Sequence, residues 1–343
     1  MNLRSAQEVP ENSKVILKMD LDVPMHEGVV QDADRLKKSL STIGLLLNKH
    51  CKIAIIGHLD RPKGNDPSLS LYPVYQTLIP LIEVYQKTTI RHQFIKEIEN
   101  QPILAQAFES YDVSVLENLR FYPGEEENGP QFLKQLVSAA TVYVNDALAV
   151  AHRKHRSVLL FKEIPAYYGL AFISEAEKIV SVVQNPQKPM TIILGGAKED
   201  KLSYLPQLIS IADHICIGGK LPTYIQQKQL SVDKEKVYIA GLREDGLDLS
   251  DADIEMFKTY IADSKTIVWS GALGYFEKED AKKGTREIAK ALGESTAYTI
   301  IAGGDTEASV SDIGVEDKIK LIASGGGMLL ELLTQGTLPA WDS

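Results

Sequence analysis

The run Ile53-Ala-Ile-Ile56, followed at once by the loop Gly57-His-Leu-Asp-Arg-Pro-Lys-Gly64, indicates the kind of fold that this chain adopts. Four consecutive apolar residues are typical of a short strand that is buried on both faces, as in a parallel sheet. The glycine, proline and charged residues that follow end the strand. In open α/β sheets ligands bind beyond the carboxyl ends of the strands, so we expect the loop to carry chemistry.

The same pattern recurs along the whole chain. Short apolar runs occur at residues 15–17, 53–56, 113–116, 142–144, 191–194, 214–217, 266–269, 299–301 and 320–322, separated by longer amphipathic stretches. This alternation predicts an α/β protein with parallel sheets. Between the first two runs, Leu36, Leu40, Ile43 and Leu47 recur at helical spacing, which places Arg35 at the start of a helix.

The distribution of these runs predicts two domains. Four runs precede residue 150 and five follow residue 190 in a chain of 343 residues. Between them, residues 173–183 have helical character, and Ser174 with Glu177 forms a possible capping box. Asn185-Pro-Gln-Lys-Pro189 would end that helix. We therefore predict two doubly wound parallel-sheet domains joined by a helix.

Composition excludes several classes of protein. The chain has 37 Lys+Arg and 46 Asp+Glu, a net charge of −9, which argues against a nucleic-acid-binding protein. Its two cysteines, Cys51 and Cys216, lie in apolar runs and predict neither a disulfide framework nor a cysteine zinc site. The N-terminal residues lack an apolar signal region, and no stretch is long enough to span a membrane. A soluble cytoplasmic protein is expected.

The loops after the strands of the first half are rich in basic residues. With the helix start, they bring Arg35, His58, Arg61, Arg120, His152 and Arg153 to converging positions. Such a cluster suits a small, strongly anionic substrate, because guanidinium groups match phosphate and carboxylate oxygens bidentately. Any one of these arginines could instead cap a helix or pair with a surface carboxylate. His152 and His155 are three residues apart but have no carboxylate at metal-ligand spacing, so we interpret them as structural or anion-binding.

The loops of the second half are rich in glycine. They are Gly195-Gly-Ala-Lys198, Gly218-Gly-Lys220, Gly271-Ala-Leu-Gly274, Gly303-Gly-Asp-Thr306 and Gly325-Gly-Gly327. Glycine after a strand lets backbone amides approach phosphate oxygens at the start of a helix, so these loops predict a nucleotide domain. A single glycine pair could be a tight turn without a ligand. Neither a P-loop nor a dinucleotide-binding fingerprint fits the spacing.

Taken together, these motifs resemble the phosphoglycerate kinase family. The resemblance is carried by Lys18-Met-Asp-Leu-Asp-Val-Pro24, Gly57-His-Leu-Asp-Arg-Pro-Lys-Gly64, Leu116-Glu-Asn-Leu-Arg-Phe121, Glu125-Glu-Glu-Asn128, Val142-Tyr-Val-Asn-Asp-Ala147, Ala151-His-Arg153, Ile193-Leu-Gly-Gly-Ala-Lys198, Gly274-Tyr-Phe-Glu277, Gly303-Gly-Asp-Thr306 and Ser324-Gly-Gly-Gly327. They occur in the order of the family over nearly the whole chain.

The resemblance implies two domains facing an open cleft and reversible, Mg²⁺-dependent phosphoryl transfer between 1,3-bisphosphoglycerate with ADP and 3-phosphoglycerate with ATP in glycolysis. It implies a 3-phosphoglycerate domain over residues 1–165, a connecting helix over 166–185, a nucleotide domain over 186–327 and a tail, 328–343, that packs on the first domain. These small molecules would be its only partners, with no nucleic acid or membrane, and a monomer is expected.

The site residues that the resemblance implies fall into three groups. The substrate would bind to Asp20, Asp22, Arg35, His58, Arg61, Arg120 and Arg153. The nucleotide would bind to Gly196, Lys198, Lys201, Gly219, Glu277, Gly304, Asp305 and Thr306, with Asp305 as the metal ligand. Arg35, Lys198, Gly325 and Gly326 would be catalytic. Phosphoryl transfer needs mainly positioning and charge neutralisation, which these groups supply.

Some positions depart from the family pattern and keep alternatives open. Asp22 stands where the family has asparagine, Asp60 and Lys220 where it has glycine, and the segment Leu221–Lys265 is shortened. They motivate the alternative of a catalytically weakened homologue that binds nucleotide or a partner. A kinase acting on a different small acid is a third reading.

Overall fold

The structure is a computed structural model that describes residues 3–99 and 101–341. It contains two compact units. The first comprises Met1–Glu177 with Pro339–Ser343, and the second comprises Lys178–Leu338.

The strands and helices alternate as the sequence predicts. The strands are β1 (Lys14–Met19), β2 (Met25–His26), β3 (Val29–Val30), β4 (Lys52–Ile56), β5 (His92–Ile95), β6 (Val113–Leu116), β7 (Val142–Asp146), β8 (Ala166–Tyr168), β9 (Met190–Leu194), β10 (His214–Ile217), β11 (Val237–Ile239), β12 (Thr266–Ser270), β13 (Tyr298–Ala302) and β14 (Leu321–Ala323). The α-helices are α1 (Asp34–Lys38), α2 (Leu40–Asn48), α3 (Tyr72–Gln86), α4 (Gln101–Ala105), α5 (Pro123–Glu126), α6 (Lys134–Ala139), α7 (Leu170–Gln184), α8 (Leu205–Ile211), α9 (Leu221–Gln227), α10 (Asp251–Asp263), α11 (Lys283–Glu294), α12 (Gly304–Asp312) and α13 (Gly326–Gln335).

The first unit is built on a parallel six-stranded sheet in the order β5-β6-β4-β1-β7-β8. Successive residues of a strand point to opposite faces, and both faces are buried here. Val15 and Leu17 of β1 pack with Leu36 and Ile43 of the helices α1 and α2. Ile16 belongs to the core on the opposite face. The sheet is therefore doubly wound, and the carboxyl ends of its strands share one edge.

The second unit repeats this plan with a parallel sheet in the order β11-β10-β9-β12-β13-β14. One of its cores joins Ile193, Ile267 and Trp269 of the central strands to Phe257 of α10 and Ile288 of α11. All five glycine-rich loops follow strands of this sheet at their carboxyl ends.

All nine strand predictions are confirmed, and the strands that the sequence did not reveal are short or at edges. β5, β8 and β11 are outermost strands of the two sheets, and β2 with β3 is a two-residue hairpin. An edge strand is covered less completely, and every residue of β5 except the last is only partly buried. The apolar run that marks a central strand is therefore missing.

The connecting helix α7 is confirmed, but the prediction of its start is wrong. The helix begins at Leu170, so Ser174 lies inside it and does not form a capping box. The amide of Phe172 donates to the buried Asp146 Oδ1 at 2.9 Å, and the amide of Leu170 donates to Thr42 Oγ1 at 2.9 Å. The first turn is thus capped by side chains that are distant in sequence. The helix ends at Gln184, just before the predicted proline-containing stop.

The C-terminal residues divide differently from the expected boundary at residue 328. Helix α13 belongs to the second unit, because its apolar face (Met328, Leu329, Leu332) is buried there, and only the residues from Pro339 join the first unit. The amide of Ala340 donates to the carbonyl of Ala151 at 3.0 Å, and Tyr168 Oη donates to the carbonyl of Ala340 at 2.9 Å. Within the described residues, no helix is both long and apolar enough to cross a membrane.

Candidate functional site

At the edge of the first sheet, Asp20 pairs with Arg35. Asp20 follows β1 directly, and its Oδ2 lies 3.4 Å from Arg35 Nη1 at the start of α1. Its Oδ1 accepts the backbone N–H of Asp22 at 3.2 Å. Burial raises the pKa of Asp20, whereas the Arg35 guanidinium opposes that shift. Arg35 is therefore oriented by a carboxylate but keeps a partly exposed guanidinium.

The loop after β4 is stabilised by Asp22 and Arg120. Asp60 has a φ of +50°, which explains why the family pattern has glycine there, since aspartate is among the residues that tolerate this region. Its N–H donates to Asp22 Oδ1 at 2.8 Å, and its carbonyl accepts from Arg120 Nη1 at 2.6 Å. The Asp22 carboxylate thus accepts a hydrogen bond from the backbone of the protein itself.

The arginines expected in the substrate site lie close enough to interact. Burial lowers the pKa of Arg120, Asp22 and Glu126 oppose the shift, and the charges of Arg61 and Arg153 lower it further. The side chain of Arg120 is 7% exposed, and Arg61 is exposed. Guanidinium groups repel one another when no anion lies between them, so this arrangement is suited to bind a multiply charged anion.

A buried network lies beneath His58, and sequence reasoning missed it. Lys18 Nζ donates to Ser157 Oγ at 2.8 Å, and that hydroxyl donates to Glu125 Oε1 at 2.5 Å. The Ser157 N–H donates to Glu125 Oε2 at 3.0 Å. The His58 and His155 rings are edge to face with centroids 5.9 Å apart.

Burial, assisted by the positive charges around this network, lowers the pKa of both histidines, so both are uncharged at neutral pH. Burial lowers the pKa of Lys18 to about 8, with Glu125 opposing. Burial, together with the charges of Lys18 and Arg120, lowers the pKa of His58 well below its usual value and that of His155 to about 3. The sequence signal was present in Glu125-Glu-Glu-Asn128, but nothing local connects it to His58.

Three glycine loops converge at the edge of the second sheet. The N–H of Gly196 donates to the carbonyl of Ala272 at 2.6 Å, and the N–H of Gly219 donates to the carbonyl of Leu273 at 3.1 Å. Gly271 has a φ of +98°, and a Cβ there would lie 2.4 Å from the Gly195 carbonyl oxygen. Only glycine allows this close approach of backbones.

Lys201 holds these loops together through the hydrogen bonds of its ammonium group, whereas Lys198 is exposed. Lys201 Nζ donates to the carbonyls of Gly195 and Ser270, each at 2.9 Å, and lies 3.2 Å from Ser270 Oγ. Burial, and after it the neighbouring charge of Lys198, lowers the pKa of Lys201 to about 8. The negative charge of Asp305 is among those that oppose this shift. Lys198, Lys201 and Asp305 are therefore electrostatic neighbours.

The starts of two helices complete this edge. Thr306 is buried and its Oγ1 accepts the Gly271 N–H at 2.7 Å. Asp305 is exposed in the first turn of α12, whose N-cap residue is Gly303 without a side-chain cap. Asp305 therefore lies inside the first turn and is not the N-cap residue of the helix. Helix α13 begins at Gly326 with Gly325 as its N-cap residue, which places their amides at a helix start.

Two further residues relate differently to the converging loops: Lys220 is part of them, because its N–H donates to the carbonyl of Gly196 at 3.1 Å, whereas Glu277 follows β12 several residues later. Glu277 is exposed. Lys220 precedes α9, and its Nζ lies 5.5 Å from the ring centroid of Tyr224, a cation–π contact.

An arginine-rich edge on one doubly wound unit and a glycine-rich edge on another define a phosphotransferase of the kinase class. The chain matches the sequence model of the phosphoglycerate kinase family over residues 7–245 and 226–336. Phosphoglycerate kinase from Thermosynechococcus vestitus is 33% identical over 387 positions, covering 96% of this chain and 94% of that protein. The one from Finegoldia magna is 32% identical over 399 positions, covering 100% and 99%.

Solved structures agree with these sequence matches. The structure of phosphoglycerate kinase from Coxiella burnetii is 26% identical, has a TM-score of 0.75 and covers 99% of this chain and 98% of its own. The Pyrococcus horikoshii enzyme, at 23% identity and a TM-score of 0.80, shares the fold. The chain belongs to the phosphoglycerate kinase family.

The chain is shorter than its relatives. The alignment to the Finegoldia magna protein has 399 positions, against 343 residues here. The two parts of the family match overlap at residues 226–245, so the match breaks inside the segment Leu221–Lys265.

Proposed function

We propose that the chain is an active enzyme that transfers a phosphoryl group reversibly between 1,3-bisphosphoglycerate with ADP and 3-phosphoglycerate with ATP, the glycolytic reaction of its family. The observation that carries the proposal is the proximity of Arg61, Arg120 and Arg153 to one another, in loops at the same edge of the sheet as the Arg35–Asp20 pair. This is the charge arrangement that a small acid with carboxylate and phosphate groups requires. The weakened homologue is not favoured, because the charged groups that the reaction needs are present.

In the proposed mechanism the two edges have different tasks. Arg61, Arg120 and Arg153 bind the anionic groups of the acid, and Arg35 neutralises charge on the transferred group. On the second unit, the amides of Gly325 and Gly326 and the ammonium of Lys198 donate to phosphate oxygens of the nucleotide. The carboxylate of 3-phosphoglycerate attacks the terminal phosphorus of ATP, and ADP leaves. No covalent enzyme intermediate is needed.

The residues at the start of α12 fit a Mg²⁺–nucleotide complex. Mg²⁺ keeps several waters and takes one or two carboxylates together with substrate phosphates. Asp305 offers one exposed carboxylate beside Lys201. Asp305 would therefore hold the ion, which when bound neutralises phosphate charge.

A coupled assay with 3-phosphoglycerate and MgATP tests the proposal directly. We expect turnover in both directions and none with unphosphorylated small carboxylic acids. Nucleotide binding without turnover would support the weakened homologue instead. Turnover with another acid only would identify a different small-acid kinase.

We also propose that the protein is a monomer, which the elution volume in size-exclusion chromatography checks.

Replacing Arg120 with alanine should act mainly through substrate affinity. We expect the KM for 3-phosphoglycerate to rise by roughly 10- to 100-fold, because one charge-assisted interaction with the anion is lost. Arg91→Ala is the matched control, because Arg91 is exposed and pairs with Asp112 at 3.1 Å away from this edge. A fall in kcat at unchanged KM would contradict this role.

Replacing Asp305 with asparagine should selectively weaken the binding of Mg²⁺. An amide is a poorer ligand for Mg²⁺ than a carboxylate, so the Mg²⁺ concentration for half-maximal activity should rise by about tenfold. Because Asp305 caps no helix, the melting temperature should stay within a degree or two of the parent. Glu307→Gln in the same turn is the control. An unchanged Mg²⁺ dependence would remove Asp305 as the ligand.

A further inference from the structure

Three buried side chains beneath the substrate edge place metal-binding atoms close together. One ligand atom each of His58, Glu125 and His155 lies within 4.8 Å of the others. His58 is 3%, Glu125 0% and His155 9% exposed. They come from three separate segments: the loop after β4, the helix α5 and the loop after β7.

Both histidines have a nitrogen that the protein does not use. His58 Nε2 and His155 Nδ1 are buried and have no hydrogen-bond partner among the described residues. His155 Nδ1 lies 3.8 Å from Glu125 Oε1, which is too long for a hydrogen bond. A buried polar atom without a partner is unfavourable, so two of them on histidines that lie close to one carboxylate call for an explanation.

The Glu125 carboxylate is held in one orientation by its hydrogen bonds. Both oxygens of Glu125 accept hydrogen bonds from Ser157, one from its hydroxyl and one from its N–H. Metal ligands commonly have this kind of outer support, which fixes the ligand and maintains its charge.

We propose that His58, Glu125 and His155 form a binding site for a divalent transition-metal ion of borderline softness, for which Zn²⁺ is the probe. Two imidazoles and one carboxylate are a donor set that Zn²⁺ uses, with a fourth position left to water. Tetrahedral ligands about 2.1 Å from the ion stand about 3.4 Å apart. The present donors lie within 4.8 Å of one another, so small side-chain movements would bring them to that spacing.

The surroundings select among cations. Lys18 Nζ donates to Ser157 Oγ, one hydrogen bond away from Glu125, and its ammonium repels any cation in the site. Arg120 and Arg153 add further positive charge. Mg²⁺ and Ca²⁺ bind chiefly through charge and oxygen ligands, so they are disfavoured here. Zn²⁺ or Co²⁺ gains strong bonds to imidazole nitrogen, which offset the repulsion.

Occupation of the site would inhibit the enzyme. This consequence rests on the proposed function, with His58 among the residues that bind 3-phosphoglycerate, as the family resemblance implies. An ion bound at Nε2 would remove His58 from the substrate and turn its ring. Inhibition by Zn²⁺ should therefore be competitive with 3-phosphoglycerate and should persist at saturating MgATP.

The binding test uses the full chain and needs no activity. Co²⁺ titrated into the protein without Mg²⁺ should give the visible absorption bands of tetrahedral cobalt at one ion per chain, and Zn²⁺ should displace them. His155→Gln and Glu125→Gln should each weaken Zn²⁺ binding at least about tenfold in calorimetric titration. His50→Asn is the matched control, because His50 is exposed and has a φ of +57°, which asparagine tolerates. Circular dichroism checks that each variant is folded. If Glu125→Gln does not fold, His155→Gln alone tests the metal site.

The outcomes separate this proposal from the proposed function. Absence of the cobalt bands, or Zn²⁺ binding that His155→Gln leaves unchanged, would overturn the metal site whatever the activity is. Zn²⁺ binding in a protein without kinase turnover would support the site and refute the function. Competitive inhibition that His155→Gln relieves at least tenfold would support both.

Discussion

Replacing Arg35 with alanine is expected to lower kcat by roughly 10²- to 10³-fold, with a much smaller change in the KM for 3-phosphoglycerate. The Arg35 guanidinium is held by Asp20 at 3.4 Å and remains partly exposed at the edge of the first sheet. Its charge is needed most while the phosphoryl group is in transfer, and an interaction stronger in the transition state than in the ground state affects kcat. Steady-state kinetics in both directions measure the effect.

The control for Arg35 lies two residues away. Lys37 is exposed on the same helix and pairs with Asp34 at 2.7 Å, so Lys37→Ala should leave kcat within about twofold of the parent. Arg35→Lys keeps the charge but loses the planar fork and should recover only part of the activity. Near-parental turnover of Arg35→Ala would show that the arginine is structural.

The sequence predicts the central parts of both sheets because their strands are buried on both faces. Runs such as Ile53-Ala-Ile-Ile56 are apolar without interruption, and all the predicted runs become inner strands except the last, which forms the outermost strand β14. The edge strand β5 is only partly buried and carries no such pattern. The edge strands β8 and β11 are apolar but have only three residues each, which is too short to stand out in the sequence.

Helix starts were harder to predict, because their caps come from elsewhere in the chain. Ser174 and Glu177 have the spacing of a capping box, yet α7 starts at Leu170. Its first amides donate to the side chains of Thr42 and Asp146 instead. Both capping side chains are separated from the helix by at least two dozen residues. A local pattern cannot reveal a cap that forms only when the sheet is assembled.

The candidate site likewise contains residues that sequence reasoning could place and residues that it could not. Residues of loops that follow strands of the first sheet, such as His58 and Arg61, were expected at one edge because parallel strands bring their ends together, whereas Asp20 was expected only from the family resemblance. The grouping of Lys18, Glu125 and Ser157 could not, because it depends on side chains from distant loops meeting beneath that edge. The histidines 152 and 155 lack a carboxylate at local spacing, and the one facing His155 lies thirty residues earlier.

Replacing Lys198 with alanine is expected to lower kcat by about 100-fold without changing the melting temperature. Lys198 is exposed beside the glycine loops, so its removal leaves no cavity. Its ammonium is available to the phosphate oxygens of the nucleotide, where a preorganised positive charge favours the transition state. Lys228→Ala is the control, because Lys228 pairs with Glu199 next to Lys198 and faces no predicted ligand. Parental turnover of Lys198→Ala would exclude it from the reaction.

The same variant should also change the pH dependence of nucleotide binding. Lys201 has a pKa of about 8 in the free protein, so its ammonium loses its proton as the pH rises through that value, and affinity for anionic ADP should fall there. The charge of Lys198 contributes to that low pKa after burial, so Lys198→Ala should move the fall in affinity to higher pH. Lys201→Arg, which stays charged, should remove the fall altogether. Calorimetric titration with ADP between pH 7 and about pH 9.5 measures both shifts. Identical profiles in the parent and Lys198→Ala would mean that the two lysines do not act on the same phosphate site.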